Sequence, residues 1–302
     1  GSLTALLLLA VAANATAQEG FALDRYSPAE RGSDWHANDS LDLRGHRRPA
    51  AGVVFDYARQ PLVAYDADGE VARAVVETQF FAHVGGALIL LERLRLGINL
   101  PVLLQSSGEP IVTADGRFAT EEGLALGDPR LTGDVRVLGS YERPLTLAVG
   151  VEAFFPLGSQ DAYASDGTLR LLPRLLAAGD VGPVAYAARL GMHVRPHDAR
   201  FAGVELGHEL AFGAAAGVRL AQGNLLLGPE LTGSTRLRGG EASTPVELLL
   251  GGKVTLADDF RLGLAGGPGL TQAFGSPDLR VVASLEWFPA VTAERDRDGD
   301  GV

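Results

Sequence analysis

The chain contains no cysteine and a single methionine. Without cysteine there is no disulfide framework and no thiolate metal site. A surplus of positive charge is missing too: 26 basic against 37 acidic side chains leave a net charge of −11. That balance excludes the basic face on which nucleic-acid binding depends. No apolar run reaches the roughly 20 residues of a membrane-crossing helix. Mean hydropathy is nevertheless slightly positive, high for a soluble protein and low for a helical membrane protein. A chain apolar on alternate residues falls between the two. Catalytic patterns are also absent. His36, His46, His83, His193, His197 and His208 are scattered, with no H-E-x-x-H for a metal. No H-x-S occurs, the pair on one strand that a barrel phospholipase would need for its nucleophile and base. We therefore expect no enzyme.

What is present is glycine, 39 residues of it, and a period of two. Val76, Thr78, Phe80, Ala82, Val84, Gly86, Leu88 and Leu90 alternate with Glu77, Gln79, Phe81 and His83. After the short Leu91-Glu92-Arg93, Leu94, Leu96, Ile98, Leu100, Val102 and Leu104 alternate with Arg95 and Asn99. This predicts two antiparallel strands joined by a tight turn. Strands of soluble domains run to roughly 5–6 residues, whereas a tilted strand crossing a bilayer needs roughly 9–11. These are long enough to cross, and their polar face carries charge in mid-strand.

The same rhythm continues from Ala50 to Phe288 and predicts about twelve strands, in the range of even-numbered bacterial barrels. Connections alternate between short turns, such as Glu142-Arg143-Pro144 and Ala257-Asp258-Asp259, and longer polar loops, such as 106–128. A sandwich has no reason to sort its loops by length, whereas outer-membrane barrels have short periplasmic turns and long extracellular loops. The predicted fold is all-β, an antiparallel up-and-down transmembrane β-barrel spanning 50–289. Tyr141, Phe155, Tyr186, Phe260, Trp287 and Phe288 would suit an interfacial aromatic girdle. An exported soluble β-sandwich binding module is the contrasting class.

In a barrel the inward positions are the functional surface. Those predicted to line the lumen are Glu77, His83, Arg95, Asp134, Arg136, Glu152, Arg170, Arg174, Arg189, His193, Glu205, Glu209, Arg219, Glu230, Glu247, Lys253, Arg261, Arg280 and Glu286. Their signs nearly balance, so neighbours can pair across strands. Two functions follow: a closed anchor whose lumen is bridged by ion pairs, or a narrow porin-like channel for small solutes. Lipid of the outer membrane is the expected partner.

The ends carry separate signals. Leu3 to Ala12 is an apolar run followed by Asn14-Ala15-Thr16-Ala17, which predicts a signal peptide over 1–17 cleaved after Ala17. Residues 18–49 are polar and aperiodic, a periplasmic lead-in or a segment tucked into the lumen. At the far end, 290–302 form a linker. There Asp296, Asp298 and Asp300 begin an alternating aspartate run with the glycine of a calcium loop, cut off before its later ligands.

An exported start, alternating strands and the closing DRDGDGV resemble multi-domain outer-membrane proteins of the OmpA type. ALDRYSPAERGSDWHANDSLDLRG and LERLRLGINLPVLLQ are similar to the barrel modules of such proteins from Gram-negative, myxobacteria-like species. The resemblance implies an integral outer-membrane role, structural or porin-like, with thrombospondin type 3 calcium repeats following. It also implies peptidoglycan attachment, but through a further domain that these residues do not contain. It carries over no catalytic residue, and calcium at the aspartate run is the only cofactor it suggests.

Overall fold

The computed structural model describes residues 20–65, 68, 71–113, 116–195, 200–201, 204–205, 207–237 and 244–291. The predicted signal peptide, Asp296, Asp298 and Asp300, and the side chain of Glu205 lie outside what is described. The chain is all-β, a closed antiparallel barrel of 12 strands. They are β1 (Arg48–Tyr65), β2 (Val71–Leu90), β3 (Leu94–Ser107), β4 (Arg130–Leu138), β5 (Thr146–Phe154), β6 (Arg170–Val181), β7 (Val184–His193), β8 (Glu209–Leu220), β9 (Leu225–Arg236), β10 (Val246–Leu256), β11 (Phe260–Gly267) and β12 (Leu279–Trp287). Each pairs with the next, and β12 returns to β1 from Ala51 opposite Trp287 to Arg59 opposite Leu279. Closure leaves no unpaired edge, which a strand in hydrocarbon could not tolerate.

Alternation puts oil outside and charge inside. Val84, Ile98, Leu175 and Leu264 are 53%, 54%, 59% and 64% exposed, while Asp134, Glu152 and Arg280 are 0% exposed. A water-soluble domain would reverse this order. Hydrocarbon around the wall is the solvent in which these leucines and valines are stable.

Five connections, β2–β3, β4–β5, β6–β7, β8–β9 and β10–β11, are short and share one end with the start of β1 and the finish of β12. The left-handed backbone at Leu91 and Glu92 (φ of 54° and 53°) and at Ala257 and Asp258 (47° and 61°) closes two of them tightly. The opposite end carries the long loops.

Two departures from simple alternation matter. The β1–β2 ladder slips between the pairs Arg59–Thr78 and Leu62–Val76. Glu77 falls in that irregularity and is exposed instead of lining the lumen. Arg136 sits beside a second slip, between Arg136 and Leu138, and is half-buried near the short-turn end. The aromatic girdle is also only partial. Phe260 and Trp287 face outward, 47% and 39% exposed. Phe288 is buried inside under the guanidiniums of Arg48 and Arg261, and the Tyr141 hydroxyl donates to Asp34 within the lumen.

The lumen is filled by the chain itself. Residues 20–43 are buried nearly throughout and run down the barrel from beneath the long loops to the short-turn end. The predicted periplasmic lead-in is thus a plug, the second of the two placements that its polar, aperiodic sequence left open. At the loop end Leu23 donates its N–H to the Tyr163 carbonyl (3.1 Å), and Phe21 and Leu23 pack with Leu62, Val75 and Val76. At the other end Trp35, Leu41 and Leu43 pack with Ile89, Ala148, Leu176 and Phe288.

Candidate functional site

The plug is irregular chain, and every N–H it buries needs an acceptor. Part of the answer is local. Ala29 donates to the His36 carbonyl (2.9 Å), and the Ser33 hydroxyl accepts from Trp35 and Ser40 while donating to the Asn38 carbonyl. The serines, glycine and aspartates of this stretch suit such side-chain-closed turns. The wall supplies further acceptors. Glu230 on β9 accepts the N–H groups of His36, Ala37 and Asn38 at 2.6, 2.9 and 3.0 Å, and Glu286 on β12 accepts that of Gly32 at 2.9 Å.

Plug carboxylates meet wall guanidiniums. Asp39 lies 2.9 Å from Arg95 and 3.6 Å from Arg174; Glu30 is 2.7 Å from Arg130; Asp34 is 2.9 Å from both Arg219 and Arg261. Asp24 reaches Arg280 at 2.9 Å, and Asp42 reaches Arg48 at 3.2 Å. Within the wall, Asp134 bridges Arg95 (2.7 Å) and Arg174 (2.8 Å), and Glu152 contacts Arg174. Lys253 pairs with Glu286, and Arg280 pairs with Glu247 and Asp56 at 2.6 Å each. Buried pairs of this kind add little net stability over an apolar filling, but losing one partner strands the other charge at a large cost. Their effect here is to specify how the plug sits.

At the loop end Asp166 accepts from Ala22 N–H (2.7 Å) and lies 2.9 Å from Arg195 and 3.2 Å from Arg170. Burial alone would raise its carboxyl, yet Arg170 and Arg195 hold it well below the usual carboxylate range. The plug's upper end is therefore tied to an acidic anchor that stays charged across ordinary pH.

Most of the predicted lumen residues converge on this network. Arg95, Asp134, Glu152, Arg170, Arg174, Glu209, Arg219, Glu230, Glu247, Lys253, Arg261, Arg280 and Glu286 all take part, and His83 lies buried beside it. Arg189 and His193 face a cavity beside the plug. Sequence reasoning missed the plug's own Asp24, Glu30, Asp34, Asp39 and Asp42, the wall's Asp56 and Arg130, and the loop carboxylates Asp128 and Asp166. A readable signal did exist in the inward glycines that make room for the plug. A Cβ on Gly97 would lie 2.0 Å from Glu30 Oε2, and one on Gly213 would lie 2.5 Å from Asn38 Oδ1.

Gly97→Ala should accordingly push Glu30 off Arg130 and Thr132 and cost about 1–3 kcal/mol, as overpacking does. Gly133→Ala is the matched control, since its Cβ would meet only Leu96 Cδ2 at 3.9 Å. Urea unfolding midpoints in lipid vesicles check the difference, and equal midpoints would mean that Glu30 does not occupy this space.

Asp24, Asp56 and His83 offer possible metal-ligand atoms within 4.8 Å of one another. Arg280 Nη1 already lies 2.9 Å from Asp24 and 2.6 Å from Asp56. A guanidinium thus stands where a cation would, and the group reads as an ion-pair cluster. Two cavities remain beside the plug, of about 60 Å³ and about 90 Å³. Each has space for a few waters.

The sequence matches no protein-family model and no curated protein. Among solved structures, the COG4313 outer membrane channel from Pseudomonas putida F1 is similar over 82% of this chain and 97% of its own, at 14% identity and a TM-score of 0.56. The translocator domain of the autotransporter NalP from Neisseria meningitidis matches over 82% and 91%, at 12% identity and a TM-score of 0.45. The outer membrane phospholipase A from Escherichia coli matches over 83% and 98%, at 11% identity and a TM-score of 0.40. With the apolar belt and the closed 12-stranded wall, the architecture is that of the outer-membrane β-barrels of Gram-negative bacteria.

Proposed function

We propose that the protein is an outer-membrane channel for small solutes held closed by its own N-terminal segment, and that it catalyses no reaction. The observation that carries this reading is the nature of the filling. Eight-stranded barrels close with their own side chains, and larger ones leave a lumen. Here the lumen takes a whole stretch of chain, 20–43, through polar and ionic contacts that water and solute could replace. The likeness in fold to a barrel described as a channel supports the same reading.

A second reading, a permanently closed anchor of the OmpA-like kind, is favoured by the density of plug–wall pairs around Asp34 and Asp39. Planar-bilayer recording separates the two. The intact chain should be closed for most of the record, and a variant lacking 20–45 should give steady conductance steps. A deletion variant that folds, as judged by its heat-modifiable electrophoretic shift, yet stays silent would contradict the channel and favour the anchor.

A further inference from the structure

Two lumen guanidiniums make no ion pair among the described residues, and only one of them, Arg31, is satisfied instead by carbonyls and Asn99. Arg189 on β7 makes no ion pair and no hydrogen bond among the described residues, and its Nε is buried without a partner. It faces the cavity of about 60 Å³ that it shares with Arg25 of the plug, the carboxylates Glu152, Glu209 and Glu247, and His193 and Ser234. Arg25 Nε and Nη2 are likewise buried without partners, as are His193 Nδ1, Ser234 Oγ and Glu152 Oε2. Three guanidinium nitrogens thus look for acceptors around this space, against one free carboxylate oxygen.

The other carboxylates at the cavity are already engaged. Glu209 pairs with Arg25, Arg195 and Arg236, and both oxygens of Glu247 accept from Arg280. A buried, unpaired charge is costly. Water brings two donors with each acceptor and so serves Glu152 Oε2 well but the guanidiniums poorly.

We propose that this cavity holds one monovalent inorganic anion of about chloride size, bridging Arg25 of the plug and Arg189 of the wall. The anion accepts from both guanidiniums, so that it fastens the plug's upper half to β7. The proposal rests on the seated plug and not on whether the lumen conducts.

Crystals of the intact chain grown in sodium bromide should show one anomalous peak between Arg25 and Arg189. In solution, the unfolding midpoint should rise with chloride when it replaces gluconate at constant ionic strength, by a steady increment per tenfold of chloride above its Kd. Arg189→Gln and Arg25→Gln should each abolish that dependence, and either variant serves if the other fails to fold. Water alone in the cavity, with equal midpoints in chloride and gluconate for the unaltered chain, would overturn the proposal. A bromide peak in a chain whose plug deletion is silent would sink the channel reading and leave the anion site standing. A conducting deletion with no bromide peak would do the reverse.

Discussion

Arg174→Met is expected to lower the stability of the barrel by about 3–5 kcal/mol, the cost of removing one partner from a buried ionic network. Arg174 lies 2.8 Å from Asp134, contacts Glu152 and reaches Asp39 of the plug at 3.6 Å, and the side chains on both sides of each pair are almost wholly buried. Methionine replaces the aliphatic stem but not the charge. Among the described residues, Asp134 and Asp39 then pair only with Arg95, and Glu152 only with Arg130 at 3.7 Å. Arg59→Met is the contrast. Its pair with Asp278 is short, at 2.6 Å, but both side chains are open to solvent, 52% and 39% exposed. Water screens that pair, so the midpoint should not move. Urea titration in lipid vesicles, followed by tryptophan fluorescence, reads both variants. Equal shifts for Arg174 and Arg59 would mean that the lumen is wet and loosely packed.

Ile98→Arg is expected to cost about 2–4 kcal/mol, the range for arginine on the lipid face near the middle of a barrel wall. Ile98 is 54% exposed on β3, flanked along the same face by the exposed Leu96 and Leu100. On a water-facing strand the same change would be harmless. Val137, 62% exposed close to the short turn after β4, should accept arginine at about 0–1 kcal/mol because its depth is interfacial. A depth-dependent penalty is the signature of hydrocarbon around the wall. Two neutral substitutions would point to a water-soluble sheet.

How much of this was legible in the sequence follows from where the physics is local. Wherever a strand keeps its ladder, alternation alone decides which side chain points inward, so Arg95, Asp134, Glu152, Arg174, Glu230 and Arg280 could be read directly. Where the ladder slips, the parity argument loses its reference. Glu77 fell in such a slip, and nothing in its neighbours' hydropathy announces an irregularity that depends on β1. The sequence left the plug's placement open between periplasm and lumen. Its burial comes from partners far along the chain, Glu230 for His36 and Glu286 for Gly32, and not from any period of its own. Its aspartates could not be singled out because their guanidinium partners stand on distant strands. Inward glycines such as Gly97, Gly213 and Gly263 recorded that the wall had been hollowed to receive something.

The placement of that segment is tested most directly with one thiol. Since the chain has no cysteine, Ala37→Cys puts a single reactive group where the side chain is 1% exposed and the backbone N–H is held by Glu230. A membrane-impermeant maleimide should leave it unlabelled in the folded barrel and label it fully after unfolding, under conditions that label Gln222→Cys in the exposed β8–β9 turn at once. Labelling of the folded protein at the same rate as the turn would show that the segment lies outside the lumen.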